Sequence, residues 1–284
     1  MISRRYSDWM VCARNTFALV LMVVALAACS TTETLDIAPV TGNPKYAALV
    51  IDAKDGRILH EAYADQTRYP ASLTKMMTIY LMFDALRDGR VTPQTEIPIS
   101  ENAAKQPASK LYLRAGSTIT VDQAIRALAV KSANDVATAV AEYFGGTEDN
   151  FAQMMTTKAQ SLGMRATVFR NASGLTENGM RTTARDMALL AMALQRNHPR
   201  YMGYFTLTSF EYGGKTITGH NNVLVNYPGA TGMKTGYTSA SGSNLVTTAQ
   251  RNNRSVIAVV LGGQGSRARD ERMTQLLDAA FQRR

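Results

Sequence analysis

The sequence predicts a mixed α/β domain of the α+β kind: an antiparallel sheet flanked by terminal helices, with a helical subdomain inserted between its strands. Three observations point there. Strand-like runs lie at both ends of the region from residue 46 onward, helix-like runs fill its middle, and one more helix-like run closes the chain. With 284 residues, 45% of them hydrophobic, the chain can bury one full core without dividing into several domains. Charged residues make up 19% and are spread along the chain, which excludes a wholly disordered protein.

The elements follow in order. Residues 46–52 and 57–64 are strand-like and flank Lys54-Asp55-Gly56, an Asp-Gly hairpin signal. A helix over 71–87 opens after Pro70, whose fixed φ suits a first helical turn, and stops at Asp88-Gly89. Helical runs follow at 121–130, 135–144, 148–162 and 184–197. Gly145-Gly146 ends the second of these, and Thr183-Ala184-Arg185-Asp186 opens the last with a capping-box pattern. Strand-like runs return at 204–212, 215–218, 230–237, 243–250 and 255–262, with turns at Gly213-Gly214 and Asn252-Asn253. A final helix covers 268–281, and no internal repeat is present.

The N-terminus bears on location. Arg4, Arg5 and Arg14 precede an apolar run, 17–28, of 12 residues. A membrane-spanning helix needs about 20, so residues 1–28 read as a signal peptide and the protein is expected outside the cytoplasm. The run ends in Leu26-Ala27-Ala28-Cys29, which resembles the lipobox of bacterial lipoproteins. That resemblance implies a lipidated Cys29 as the new N-terminus, anchoring the chain to a membrane. The alternative is cleavage at Ala25-Leu26-Ala27, giving a soluble periplasmic protein. Cys12 lies in the removed segment, so no internal disulfide is expected. Residues 29–45 are polar and aperiodic, with Pro, Gly and Thr, and read as a flexible tether; residues 46–284 form the single folded domain. The net charge of +9 suits an anionic envelope. Without a Lys/Arg block or interleaved aromatic residues, no nucleic-acid partner is expected.

Three short motifs carry chemistry. In Ser72-Leu73-Thr74-Lys75, hydroxyl and amine share one helix face. A serine is a poor nucleophile until a base takes its proton, and a lysine becomes that base when burial or nearby cations lower its pKa. Alone, the pair reads more readily as a solvent-facing helix pair. Ser132-Ala133-Asn134 lies between two helical runs. Its hydroxyl can relay a proton and its amide can hold a peptide group, or the two residues can cap a helix. Lys234-Thr235-Gly236 sits in a strand-like run. Glycine there marks close approach of another backbone or a ligand, with Lys234 and Thr235 able to hold a carboxylate. The other reading is a polar strand end.

Taken together and in this order, the three motifs resemble those of penicillin-binding proteins and serine β-lactamases. The surrounding text is similar to the low-molecular-mass D-alanyl-D-alanine carboxypeptidases over residues 45–284: Tyr69-Pro70-Ala71-Ser72-Leu73-Thr74-Lys75-Met76-Met77-Thr78, Ser132-Ala133-Asn134-Asp135, Asn171-Ala172-Ser173-Gly174-Leu175, Thr182-Thr183-Ala184-Arg185-Asp186 and Gly232-Met233-Lys234-Thr235-Gly236-Tyr237-Thr238. The resemblance implies the β-lactamase/penicillin-binding transpeptidase-like fold and a serine peptidase acting on peptidoglycan stem peptides, with β-lactams as covalent inhibitors and no metal or organic cofactor. It implies Ser72 as nucleophile, Lys75 as base and Ser132 as proton relay. Asn134 then orients the substrate, and the backbone N–H groups of Ser72 and Tyr237 form the oxyanion hole. Lys234 and Thr235, beside Gly236, bind the terminal carboxylate with Arg269, whose near neighbour Arg267 competes for that place.

Many family members carry an all-β domain after the peptidase domain. This chain ends 50 residues beyond Lys234, so that domain is not expected, and the lipid at Cys29 would take over positioning at the membrane. Other functions stay open. A D,D-endopeptidase would cut the same bond in cross-links. A class A β-lactamase needs an E-x-x-L-N segment between the second and third motifs, and none of Glu142, Glu148, Glu177 and Glu211 begins one. A catalytically inactive wall-binding lipoprotein would lack some of the reactive residues. His60, His198 and His220 are far apart and expected on the surface or in loops.

Overall fold

The computed structural model describes Leu35 and residues 37–282. Five strands form one antiparallel sheet in the order β2-β1-β9-β8-β7. They are β1 (Ala47–Asp52), β2 (Ile58–Ala62), β7 (Ala230–Thr238), β8 (Gly242–Arg251) and β9 (Arg254–Gly263). The central β9 shows why an almost unbroken apolar sequence forms a strand: successive side chains point to opposite faces, and both faces are covered. Ile257, Val259 and Leu261 enter the larger core, whereas Val256, Ala258 and Val260 enter the smaller one.

The larger core lies between the sheet and the helical lobe inserted between β2 and β7. That lobe contains α1 (Lys75–Arg87), α2 (Glu101–Lys105), α3 (Val121–Arg126), α4 (Asn134–Gly145), α5 (Glu148–Ser161) and α6 (Ala184–Asn197). α1 is apolar almost all round and is buried from Lys75 to Ala85, as expected for a helix inside a lobe. The smaller core lies under α8 (Ser266–Gln282) on the sheet's other face.

The sequence missed short elements whose three to five residues carry too little periodicity to register. These are the hairpin of β3 (Glu96–Pro98) with β4 (Thr118–Thr120), helix α2, and α7 (Asn222–Asn226). The expected strand 204–212 begins as a 3-10 segment, Pro199–Thr206, and only Ser209–Tyr212 is strand (β5), paired with β6 (Lys215–Thr218). The capping box at Thr183 is half formed. Thr183 accepts from the Asp186 amide, but the Asp186 carboxylate turns away to Thr167 Oγ1 (2.7 Å) and the Ala166 amide (3.0 Å).

Two expectations need correction. Leu35, Ile37 and Val40 lie against the smaller core. The expected tether, residues 29–45, is therefore not free at its C-terminal end. The Leu35 amide donates to Leu59 O (2.9 Å), and Asn43 Nδ2 donates to Gly262 O (2.8 Å). Leu35 is buried there and Ile37 and Val40 are half-buried, while most of the residues between and after them stay exposed. His60 and His198 are buried, not superficial. His198 packs edge-on to Tyr80 at 4.6 Å, with Nε2 3.2 Å from Asp84. Cys29 and the rest of the leader lie outside the described residues, and among the described ones no helix is long and apolar enough to cross a membrane.

Candidate active site

Ser72 lies in a 3-10 turn, Ala71–Thr74, that runs directly into α1 at Lys75. In a 3-10 turn residues three apart eclipse, which brings the amine straight over the hydroxyl: Lys75 Nζ is 3.2 Å from Ser72 Oγ. The turn is strained at its start, because Ala71 has φ 49°, a region uncommon for residues with a Cβ. Such a conformation persists where its surroundings over-determine it. Asn244 Nδ2, from β8, donates to Tyr69 O (2.9 Å) and Pro70 O (3.0 Å). Two glycines wall the turn. A Cβ at Gly174 would come 1.8 Å from Ala71 O, and one at Gly236 would come 3.0 Å from Ser72 N. This close backbone approach is the reason for the glycine in the third motif.

Lys75 is 0% exposed and has three partners: Asn134 Oδ1 (2.8 Å), Ser173 O (2.6 Å) and Ser72 Oγ. The first two can only accept. A neutral amine has two N–H groups for them and one lone pair for the Ser72 proton, so the uncharged lysine is fully satisfied here. Burial holds its pKa well below the ordinary lysine value, and the charge of Lys234 adds to the effect. The solvent-facing reading of this pair is excluded.

Ser132 ends a π-helical turn, Ala127–Lys131, and takes the left-handed conformation with φ 62°. That turn replaces the end of the helix expected over 121–130; such wide turns recur at functional sites. Ser132 Oγ is buried with no hydrogen-bond partner among the described residues. It caps nothing, because the N-cap of α4 is Ala133 without a side-chain bond. Asn134 holds Lys75 through Oδ1 and donates through Nδ2 to Pro107 O (2.9 Å). Its first engagement is therefore with the lysine, not with the cleft.

The third motif lies on β7, an edge strand of the sheet. Lys234 is buried, and Nζ donates to Thr235 O at 3.0 Å. Burial, followed by the charge of Arg269, lowers its pKa to about 7. Arg269, on α8, is 4% exposed and donates to Asp270 Oδ1 (2.7 and 2.9 Å) and to Asn244 O (3.4 Å). The side chain of Arg267 is 93% exposed and pairs with Glu271, so Arg269 is the arginine at the cleft. The cleft measures about 830 Å³ and is lined by Ser72, Ser132, Asn134, Thr235, Tyr237 and Arg269 among others. Tyr237 stands 67% exposed at its rim.

The structure places Ser72, Ser132, Asn134, Thr235, Tyr237 and Arg269 around one cleft, and it adds five residues that sequence reasoning did not assign to the site. Ser173 acts through its carbonyl, which no side-chain type betrays. Asn171 Oδ1 aims that segment by accepting from Gly174 N (2.7 Å), and Thr78 Oγ1 holds Ala172 O at 2.8 Å. Gly174 and Asn244 act by packing and by bonds over long separations. His220 stands exposed in a loop, as expected, and lines the cleft; partial desolvation and then the charges of Lys131 and Lys234 push its imidazole pKa down. In chemical terms the site offers a hydroxyl on a buried amine, an unpaired second hydroxyl, and cations behind an open cleft. That arrangement suits acyl transfer from an anionic substrate.

Comparison with known proteins agrees with this chemistry. A family model described as D-alanyl-D-alanine carboxypeptidase matches residues 41–265. The chain is 34% identical over 241 residues to the D-alanyl-D-alanine carboxypeptidase DacF of Bacillus subtilis, covering 83% of this chain and 61% of that protein. It is 33% identical over 240 residues to DacA of Escherichia coli, covering 82% and 60% respectively. The chain thus spans about three fifths of the length of these curated relatives. Among solved structures, the D-alanyl-D-alanine carboxypeptidase DacD of Francisella tularensis superposes with a TM-score of 0.82 at 30% identity, covering 90% of this chain and 74% of that one. Penicillin-binding protein D2 of Listeria monocytogenes, solved with ampicillin bound, gives 0.76 at 28%, covering 83% and 96%. With the family model spanning all three motifs and the larger core, the chain belongs to the D-alanyl-D-alanine carboxypeptidase family.

Proposed function

We propose that this chain is a serine D,D-carboxypeptidase that removes the terminal D-alanine from peptidoglycan stem pentapeptides through an acyl-enzyme on Ser72. The observation that carries the reading is the buried lysine whose two fixed acceptors leave its lone pair for the serine proton. Lys75 takes that proton as Ser72 Oγ attacks the carbonyl of the penultimate D-alanine. The Ser132 hydroxyl, which has no other partner among the described residues, passes a proton to the departing amine. An amide group can make four hydrogen bonds. Asn134 uses two of them internally, which leaves capacity to orient the substrate's peptide. Backbone N–H groups of Ser72 and Tyr237 receive the oxyanion. Thr235 and Arg269 line the cleft where the terminal carboxylate binds, with the charge of Lys234 behind them. Water then releases the acyl group.

β-Lactams occupy the same site as acylating inhibitors; the Listeria relative, solved with ampicillin bound, supports this. The leader directs the chain out of the cytoplasm, and the lipid on Cys29 holds it to a membrane; the mass of the mature N-terminus tests this, and an unmodified residue other than Cys29 contradicts it. For the enzyme itself, fluorescent penicillin labels the wild-type protein covalently and Ser72→Ala abolishes the label. Muropeptide digestion followed by mass analysis then shows pentapeptides losing one alanine. Persistent labelling of Ser72→Ala overturns the assignment of the nucleophile.

A further inference from the structure

The two fixed acceptors of Lys75, Asn134 Oδ1 and Ser173 O, are braced by one carboxylate that lies in none of the three motifs. Glu148 opens α5 and is half-buried. Its Oε1 accepts from the Ala172 amide at 3.1 Å, while Thr78 Oγ1, one turn beyond Lys75 on α1, donates to the Ala172 carbonyl at 2.8 Å. Ala172 is thus gripped through both of its backbone polar groups, which sets the direction of the next carbonyl, Ser173 O. Glu148 Oε2 accepts from Thr138 Oγ1 at 3.5 Å. Thr138 is buried four positions after Asn134, on the same face of α4. Charge works alongside this geometry. Lys75 feels the ammonium of Lys234 from β7 and two carboxylates, Asp135 from α4 and Glu148 from α5. Asp135 is fully buried and committed to the amides of Leu111, Leu113 and Val136. Glu148 in turn faces Glu142 and Glu177, and burial above all pushes its own pKa up.

We propose that Glu148 is a positioning residue for the Ser72–Lys75 pair, aiming Ser173 O at the amine and stabilising the ammonium that forms when Lys75 takes the serine proton. The inference rests on the acyl-enzyme reading above. In that step the proton passes from Ser72 Oγ to the lone pair of Lys75 Nζ as Oγ bonds the acyl carbon. The bond to the departing nitrogen then breaks, and that nitrogen takes up a proton through Ser132. Burial and Lys234 both oppose a charge on Nζ. A base held too weak cannot take the proton, and a nearby carboxylate restores its proton affinity. Glu148 does not line the cleft, so it touches neither the substrate nor the reacting atoms. It acts through the lysine.

The test follows the rate of penicillin acylation against pH in the full-length wild-type protein, Glu148→Gln and Glu148→Asp. Glutamine keeps an oxygen for the Ala172 amide but loses the charge; aspartate keeps the charge but loses the reach. In Glu148→Gln the acid limb of the profile moves to lower pH by roughly one unit, because removing a negative charge disfavours the protonated lysine. In Glu148→Asp the limb stays where it is and the plateau rate falls. A purely structural role lowers the rate by one factor at every pH and moves neither limb. An acid limb unmoved in Glu148→Gln therefore overturns the proposal, as does a wild-type plateau in Glu148→Asp. If Glu148→Gln does not fold, Glu148→Asp decides alone: a fallen plateau with the limb in place supports the proposal, and any other profile overturns it. A wild-type protein that penicillin does not label on Ser72 is a separate outcome, which removes the acyl-enzyme reading and this inference with it.

Discussion

The side-chain amide of Asn244 donates to the carbonyl of Pro70 at 3.0 Å, across 174 positions of the chain. Its oxygen accepts from the Gly262 amide at 2.9 Å, and its own carbonyl accepts from Arg269 at 3.4 Å. One fully buried residue thus ties the strained approach to Ser72 to the strand that carries it and to the arginine at the cleft. Asn244→Ala leaves the Tyr69 and Pro70 carbonyls without that donor, at a cost of about 1–3 kcal/mol for each group left unsatisfied. The acylation rate constant for penicillin falls at least tenfold. Adding Ala71→Gly, which relaxes the left-handed residue, recovers part of the loss. Acylation at the wild-type rate by a folded Asn244→Ala protein contradicts this role.

Gly174→Ala is expected to harm both stability and catalysis. The new methyl meets Ala71 O, and the residue sits at φ 85°, where a Cβ is strained. Overpacking of this kind costs about 1–3 kcal/mol, and the displaced backbone belongs to the nucleophile's own turn. Thermal unfolding and penicillin acylation measured side by side check both effects. Gly203→Ala, with open space around its Cβ, serves as the neutral comparison.

Stability should rise with pH above neutrality. Lys75 and Lys234 both have pKa values below the ordinary lysine value, Lys234 at about 7. Between there and about 10.4, the unfolded-state value, the unfolded chain binds protons that the folded one has released. The slope is then positive, at most about 1.4 kcal/mol per pH unit for each lysine. Urea midpoints at pH 7, 8 and 9 measure it, and Lys234→Met removes its share of the slope.

The carboxylate anchor has its own test. Amidating the terminal D-alanine should lower kcat/KM by about 1.5–3 kcal/mol for each charge-assisted hydrogen bond removed. Arg269→Ala should show a similar loss on the free acid and little further loss on the amide, since both changes remove one interaction. Equal cleavage of acid and amide by the wild-type protein means that Lys234, Thr235 and Arg269 do not read that group.

What was legible in the sequence follows from how each feature is encoded. Long elements such as α6 and β9 announce themselves through periodicity or unbroken apolar runs. Ser72, Lys75 and Lys234 announce themselves through side-chain chemistry at fixed spacing. The π-helical turn before Ser132 was invisible, because a single added residue per turn leaves no mark on composition. Ser173 was invisible because its contribution is a carbonyl. Asn244 looked like any strand residue, since its partners Tyr69 and Pro70 are adjacent only after folding. The buried His198 was misread because its aromatic neighbours Tyr80 and Phe83 come from α1, far away in the chain.

The slot formed by Gly174 and Gly236 around the nucleophile's turn bears on how drug resistance could arise under the proposed β-lactam acylation. Any side chain added at either wall presses on Ala71 or on the Ser72 amide. Selection by an antibiotic therefore has no tolerable substitution next to the attacking group, because a change there disables the natural reaction along with the inhibition. Escape variants are expected at the outer margin of the cleft, at positions such as Tyr237, where an exposed ring can change without moving the turn. Serial passage under sublethal penicillin, followed by sequencing, should accordingly return changes at the margin and none at the two glycines.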